Sequence, residues 1–187
     1  MSPERVSRLV LSVSFAIWVV YGTLAGFGLW PVAVGVGLAA GLLLIAVASR
    51  YVAVKLMDWI LLAYFSLAAV ATFAIPSAGF KTYSSLIVWV LYAAGAWGSI
   101  LIGQPFTLQY ARETAPPERW QTAGFLRANR IITTVWGLAF TANLGFVALG
   151  LDPVFSSLWI AVAMPLLSLF AASTFSKRYL RRVRSRG

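Results

Sequence analysis

Five stretches of this chain carry no charged side chain: Leu9 to Ser49, Trp59 to Phe80, Thr82 to Ala111, Ile131 to Leu151, and Pro153 to Ser176. Each is long enough to cross a hydrocarbon core of roughly 30 Å, which takes about 20 apolar residues in a helix. In lipid a helix satisfies its own backbone hydrogen bonds, so helical spans are the expected elements. Composition agrees, because only 11% of residues are charged where a soluble domain has about one quarter.

The first stretch holds 41 residues, which as one helix would reach roughly 60 Å, about twice the membrane thickness. It must fold back. Trp30-Pro31 is the expected break, since proline cannot continue the helical ladder and Trp prefers the headgroup level. The expected fold is therefore an all-α polytopic membrane protein, one domain over residues 1–187 with six transmembrane helices arranged as three antiparallel hairpins. The spans lie near 9–29, 32–48, 59–76, 84–102, 131–149 and 154–175. A loop at 103–130 contains a short interfacial helix, and a basic tail covers 176–187. The start, Met1 to Arg8 followed by apolar residues, reads as a retained signal anchor, because the apolar run continues into the second span.

Lys and Arg in short loops stay on the cytoplasmic side. Arg5, Arg8, Arg50, Lys55, Arg112, Arg119, Arg127, Arg130 and the six basic residues of the tail fall on one side under this threading, and only Lys81 on the other. Both termini are thus expected in the cytoplasm. The net charge of +10 is split among four segments beside the inner leaflet, which argues for a membrane surface and against nucleic acid. Lys177, Arg178, Arg181, Arg182, Arg184 and Arg186 are candidate contacts for anionic lipid, worth about 1 kcal/mol per basic residue near the surface.

Cysteine and histidine are absent. Disulfides, thiolate nucleophiles, haem ligation by His or Cys, and Cys/His zinc sites are thereby excluded from this chain alone. No cofactor, metal site or catalytic residue is expected. Gly35-Val-Gly-Leu-Ala-Ala40 matches the dinucleotide fingerprint but lacks the strand that the motif requires.

Small residues recur at four-residue spacing. Gly22 and Gly26 in span 1, with Ala33, Gly37 and Gly41 in span 2, are expected to let those two spans pack through one another's small faces, and Ala94 and Gly98 give span 4 a similar face. Asp58 is placed to cap span 3 and Trp59 to sit in the interface. Pro76 to Tyr83 is the expected outer turn, and Gly103 the stop of span 4. In the loop, Pro105 starts a short helix running to about Thr114, and Pro116-Pro117 ends it. Pro105, Tyr110, Arg112 and Trp120 are candidates for contact with a partner. In span 5, Asn129, Thr133, Trp136, Phe140 and Asn143 share one face. Asn129, Thr133, Trp136 and Asn143 either lock helix packing by hydrogen bonding or line a route for a solute. Pro165 frees the carbonyl of Ala161 in span 6. Each hairpin has a proline at its outer turn (Pro31, Pro76, Pro153) and a basic segment after it, the pattern of a threefold repeat that alternation of charge also explains.

Residues 60–150 resemble the intracellular septation protein A family of bacterial inner-membrane proteins. The resemblance is carried by Gln104-Pro105-Phe106 after a span, where the family has Lys-Pro-Leu, then Trp120, Asn129 opening the next span, Trp136 within it and Asn143 beyond. It implies a multi-pass inner-membrane protein linked to envelope maintenance and division, and it names no catalytic residue. The function expected is non-catalytic, through contacts with lipid, membrane proteins or a second copy of the chain. The alternatives are a channel or carrier lined by span 5, and an accessory subunit of a larger membrane complex.

Overall fold

The computed structural model describes residues 3–152, 154 and 159–184. Among them the regular structure is helical: α1 (Pro3–Gly26), α2 (Trp30–Ala48), α3 (Leu56–Ala69), α4 (Ala78–Leu101), α5 (Thr107–Ala111), α6 (Ala123–Gly150) and α7 (Met164–Arg184). Two π-turns, Val70–Ala74 and Trp159–Ala163, and a 3-10 turn, Pro117–Arg119, complete it. Among the described residues, five segments are long and apolar enough to cross a membrane: Arg5–Gly26, Trp30–Ala48, Leu56–Ala74, Ala78–Leu101 and Ala123–Gly150. The sixth expected span, 154–175, includes residues outside the described ones; its described part is the second π-turn and the first half of α7. Many large apolar side chains point outward, among them Phe15, Leu43, Phe73 and Phe170, a distribution that suits lipid and is unfavourable in water.

The helix ends follow from local chemistry. Two of them close on a glycine with positive φ, Gly28 at 78° and Gly103 at 75°, a conformation costly for any residue with a Cβ. At the first, Leu29 N–H donates to the Leu24 carbonyl at 3.0 Å and Gly28 N–H to that of Ala25 at 3.0 Å. At the second, Gln104 N–H reaches Ser99 at 2.9 Å and Gly103 N–H reaches Ile100 at 3.0 Å. Both are Schellman closures that satisfy the last carbonyls. The fold-back of the first apolar stretch is therefore made by Gly28, just ahead of the expected Trp30-Pro31, which instead opens α2.

Three boundaries differ from the sequence reading. Helix α4 starts at Ala78 because Ser77 caps it, its Oγ accepting from Phe80 N–H at 3.2 Å, so the turn expected at 76–83 is shorter and Lys81 is helical. Helix α6 starts at Ala123 because Thr122 accepts from Phe125 N–H at 3.4 Å, which takes Arg127, Asn129 and Arg130 out of the loop. Helix α5 begins at Thr107, leaving Pro105 outside it and buried.

Both π-turns stand next to proline. Pro76 has no N–H to give, and the chain widens before it: Ile75 N–H donates to the Val70 carbonyl at 2.8 Å and Ser77 N–H to that of Ala71 at 2.9 Å. In this wider register Pro76 would face the Ala71 carbonyl, and Ser77 N–H serves it instead. Trp159–Ala163 stands in the same relation to Pro165.

The chain divides into two compact units, Met1–Ser84 and Ser85–Gly187, with the boundary inside α4. In the first, α2 packs against both α1 and α3. In the second, α6 packs against α7 and its preceding π-turn, and α5 lies on α6. The small faces do not meet as expected. A Cβ at Gly22 or Gly26 would have nothing within 4 Å, whereas one at Gly37 would meet the Phe65 ring at 2.1 Å and one at Gly41 would meet Leu61 at 2.9 Å. The glycines of α2 receive side chains from α3, because a large ring needs a bare backbone to seat against and α1 offers its large residues elsewhere. Gly98 also faces open space and Ala94 is exposed. The bare backbone met by α4 is Gly137 of α6, where a Cβ would lie 3.0 Å from Trp97.

Candidate functional site

The first unit is built around a polar ladder. Ser7, Ser14 and Tyr21 recur every seven residues in α1, a spacing that keeps them on one face. Each meets α3 or its leading turn. Lys55 Nζ donates to Ser7 Oγ, Ser14 Oγ donates to Asp58 Oδ1 at 3.1 Å, and the Tyr21 and Tyr64 hydroxyls are hydrogen bonded. Beyond them Trp30 Nε1 donates to Thr72 Oγ1 at 2.9 Å. Contacts ascend together along both helices, so α1 and α3 run parallel.

The charged rung is the most deeply placed of these polar groups near a helix end. Lys55 is 3% exposed and Asp58 5%. Asp58 caps the start of α3 as expected, and does so from the third helical position: its Oδ2 accepts the backbone N–H of Lys55, the residue just before the helix, at 3.2 Å. Both carboxylate oxygens are thereby occupied. Around the tyrosine rung the rings close tightly: Trp18 stacks on Phe65 with centroids 5.2 Å apart, and Tyr21 meets Phe65 edge-on at 5.3 Å.

In lipid such rungs matter more than apolar burial, because lipid tails are as apolar as a protein core and hydrogen bonds with close packing drive association. A single rung is worth about 0.6 kcal/mol, at most about 1.7. Tyr64→Phe is accordingly expected to lower unfolding free energy by about 1 kcal/mol without changing helix content, read by denaturation in mild detergent followed by circular dichroism. A loss above about 3 kcal/mol would mean the hydroxyl does more than bridge two helices.

In the second unit the polar face of α6 is consumed by neighbours. Thr107 Oγ1 donates to the Asn129 carbonyl at 3.0 Å and lies 2.8 Å from Thr133 Oγ1, so with one hydrogen each, Thr133 donates to Thr107 and Thr107 to Asn129. The Asn129 side chain donates to the Phe125 carbonyl at 2.9 Å. Thr133 and Asn143 are fully buried, Asn129 is 3% exposed, and Trp136 is half-buried against Phe140 at 5.8 Å. Asn143 Oδ1 accepts from Ser168 Oγ, but Ser168 also lies 2.9 Å from the Pro165 carbonyl. One hydroxyl hydrogen cannot serve both acceptors. Asn143 Nδ2 has no partner in this arrangement, and turning the amide over would let it donate to Ser168.

Ser168→Ala is therefore expected to destabilise the second unit by about 1 to 2 kcal/mol, the cost of a buried amide left unbonded. Replacing both partners, in Asn143→Leu with Ser168→Ala, removes the orphaned group and is expected to be less destabilising than Ser168→Ala alone. The same detergent denaturation decides, and a double variant as unstable as the single one or worse would refute this pairing.

The loop residues expected to be free for a partner are folded into the unit. Pro105 is buried, and Ser99 Oγ accepts the Phe106 N–H at 3.0 Å. Tyr110 is half-buried with its ring 6.4 Å from that of Phe106. Trp120 Nε1 donates to the Ala115 carbonyl at 2.9 Å, and the Arg112 guanidinium lies 5.6 Å from the Trp120 ring. In α7, Lys177, Arg178, Arg181 and Arg182 are exposed, and Arg184 is the last residue of the helix. Arg186 lies outside the described residues.

The chain matches no family model, no curated protein and no solved structure. Assignment therefore rests on the side chains. Sequence reasoning found the α6 face, because its polar residues fall in an otherwise apolar helix. It missed the ladder of the first unit, although the seven-residue recurrence of Ser7, Ser14 and Tyr21 is legible. Burial of Lys55 was not legible, since a lysine between two apolar stretches reads as a solvated topology signal.

Proposed function

We propose that this chain is a non-catalytic multi-pass protein of the bacterial inner membrane, with six crossings and both termini cytoplasmic, that acts by holding lipid and other membrane proteins. The observation that carries this reading is where the polar groups go. Serines, threonines, tyrosines and the Asp58 carboxylate in both units bond to other parts of the same unit, while the outward surface is apolar and the end of α7 is basic. Groups so engaged are poorly placed to exchange protons with a substrate. A solute route along α6 would need Asn129, Thr133 and Asn143 to face open space, and their burial favours the packing role instead. The resemblance of residues 60–150 to the septation family points to the same class, an envelope protein working through contacts.

Because the chain has no cysteine, single cysteines report threading directly. Ala78→Cys and Leu151→Cys are expected to react with a membrane-impermeant maleimide in intact cells, and Ser49→Cys and Thr114→Cys only after permeabilisation. All four positions are exposed. The reverse pattern, or reaction of all four in intact cells, overturns the threading.

A further inference from the structure

Tyr21 and Tyr64 are two phenols brought together in the first unit from positions 43 residues apart in the chain. Their hydroxyls are hydrogen bonded, and their ring centroids lie 5.7 Å apart with planes at 78°. Hydroxyls that meet while the centroids stay so close require the rings to lean over one another. The ring carbons beside each oxygen are thereby turned toward the partner ring. Neighbours hold both rings in place. Tyr64 packs against Trp18 at 5.2 Å, Phe65 at 5.2 Å and Phe80 at 6.3 Å, and Tyr21 meets Trp18 and Trp30 edge-on, each at 5.9 Å. The two phenols differ in access: Tyr21 is half-buried, whereas Tyr64 is 0% exposed.

We propose that this pair is an oxidative modification site, at which lipid-derived peroxyl radicals convert Tyr21 and Tyr64 into a dityrosine that joins α1 to α3 covalently. The membrane reading supplies only the source of the oxidant; the pairing of the rings stands without it. A peroxyl radical takes the hydrogen atom of the accessible Tyr21 hydroxyl and leaves as a hydroperoxide. Tyr64 then passes its own hydroxyl hydrogen along the hydrogen bond to the Tyr21 oxygen, so the radical moves to the buried ring and Tyr21 is again a phenol. A second peroxyl radical takes that hydrogen. The two phenoxyl radicals couple through the carbons beside their oxygens, and the hydrogen on each joined carbon moves to the neighbouring oxygen to restore both phenols. One carbon-carbon bond forms, two peroxyl radicals become two hydroperoxides, and the protein loses two hydrogens. Coupling ordinarily waits for two radicals to meet in the right orientation, and here the partners are already held in contact. The pair is consumed once, so this is a modification and not turnover.

The full-length chain, at one copy per nanodisc so that links between chains do not form, is exposed to a lipophilic azo initiator under oxygen as the source of peroxyl radicals. Trypsin then cuts after the exposed Arg50, between α1 and α3. The fragments carrying the two helices are expected to stay joined under denaturing conditions, at a mass two hydrogens below their sum. Tandem mass spectrometry of the unaltered chain is expected to place the link at Tyr21 and Tyr64, a result that does not depend on how any variant folds. Tyr21→Phe and Tyr64→Phe are each expected to abolish the joined species, and Tyr83→Phe, at an exposed position, to leave it unchanged. Direction of transfer gives a second readout: Tyr21 is still oxidised in Tyr64→Phe, whereas Tyr64 is protected in Tyr21→Phe.

Fragments that separate after exposed Tyr51 and Tyr83 have been oxidised would overturn the site, as would a link at any other pair of tyrosines. Oxidation of Tyr64 as fast in Tyr21→Phe as in the unaltered chain would overturn the relay through Tyr21. Failure of the chain to enter nanodiscs is a separate result that refutes the membrane reading, and the same oxidation in mild detergent then decides on the pair by itself.

Discussion

Gly37→Ala is expected to be the most damaging single-methyl change in the first unit, lowering unfolding free energy by about 3 kcal/mol or more. Adding a methylene to a packed core usually costs about 1 to 3 kcal/mol because neighbours can give a little. Here the new carbon would sit 2.1 Å from Phe65 Cε1 and 2.5 Å from Cδ1 and Cζ, so the ring as a whole must leave its place. Phe65 is fully buried and held between Trp18, Tyr21 and Tyr64, which leaves it nowhere to go. Gly22→Ala is the matched control: nothing lies within 4 Å, and alanine has the better helix propensity, so stability is expected to be unchanged or slightly raised. Phe65→Leu should relieve Gly37→Ala by at least about 1 kcal/mol in a double-mutant cycle. Additive losses would place the ring's packing against some other surface than α2.

Asp58→Ala is the second large effect, expected at about 3 kcal/mol, the scale for stripping one member from a buried charged group. The substitution leaves the Ser14 hydroxyl and the Lys55 backbone N–H without the carboxylate that accepts from them, in a buried place. Asp58→Asn keeps an acceptor oxygen and should cost less. Asp152 is exposed, its carboxylate accepting from Val154 N–H at 2.8 Å, and Asp152→Asn is expected to stay within about 0.5 kcal/mol of the unaltered chain. Unfolding in mild detergent, followed by Trp fluorescence, ranks the three. Equal costs for Asp58→Ala and Asp152→Asn would mean that the α1–α3 contact at Asp58 is loose in solution.

These two predictions also mark what different sequence signals could carry. Uncharged runs of 20 residues or more leave a chain few choices, and the helices at Trp30–Ala48 and Leu56–Ala74 stand close to where hydropathy puts them. Gly103 as the end of the fourth helix was equally plain, since a positive-φ closure has a preferred residue. Ser77 and Thr122 carry the matching signal for helix starts, a hydroxyl three residues before the N–H that it accepts; it is easily lost where a charged or proline-rich stretch suggests a longer loop.

Partner choice was another matter. A glycine at four-residue spacing says that something approaches closely, and only the three-dimensional arrangement made that neighbour Phe65 of α3 and not Gly22 or Gly26 of α1. In the same way Asn129, Thr133 and Asn143 announce a polar face, while the structure chose Thr107 and Ser168 to meet it. From its own residues alone the chain determined that it is helical, that its apolar segments are long enough to cross a membrane, and which faces are small or polar. Tertiary structure alone decided which faces meet and that Lys55 and Asp58 are buried. The reason is physical: hydropathy acts on each segment separately through its solvent, whereas a hydrogen bond or a ring seated on a glycine exists only between two segments, and neither one encodes the other's position.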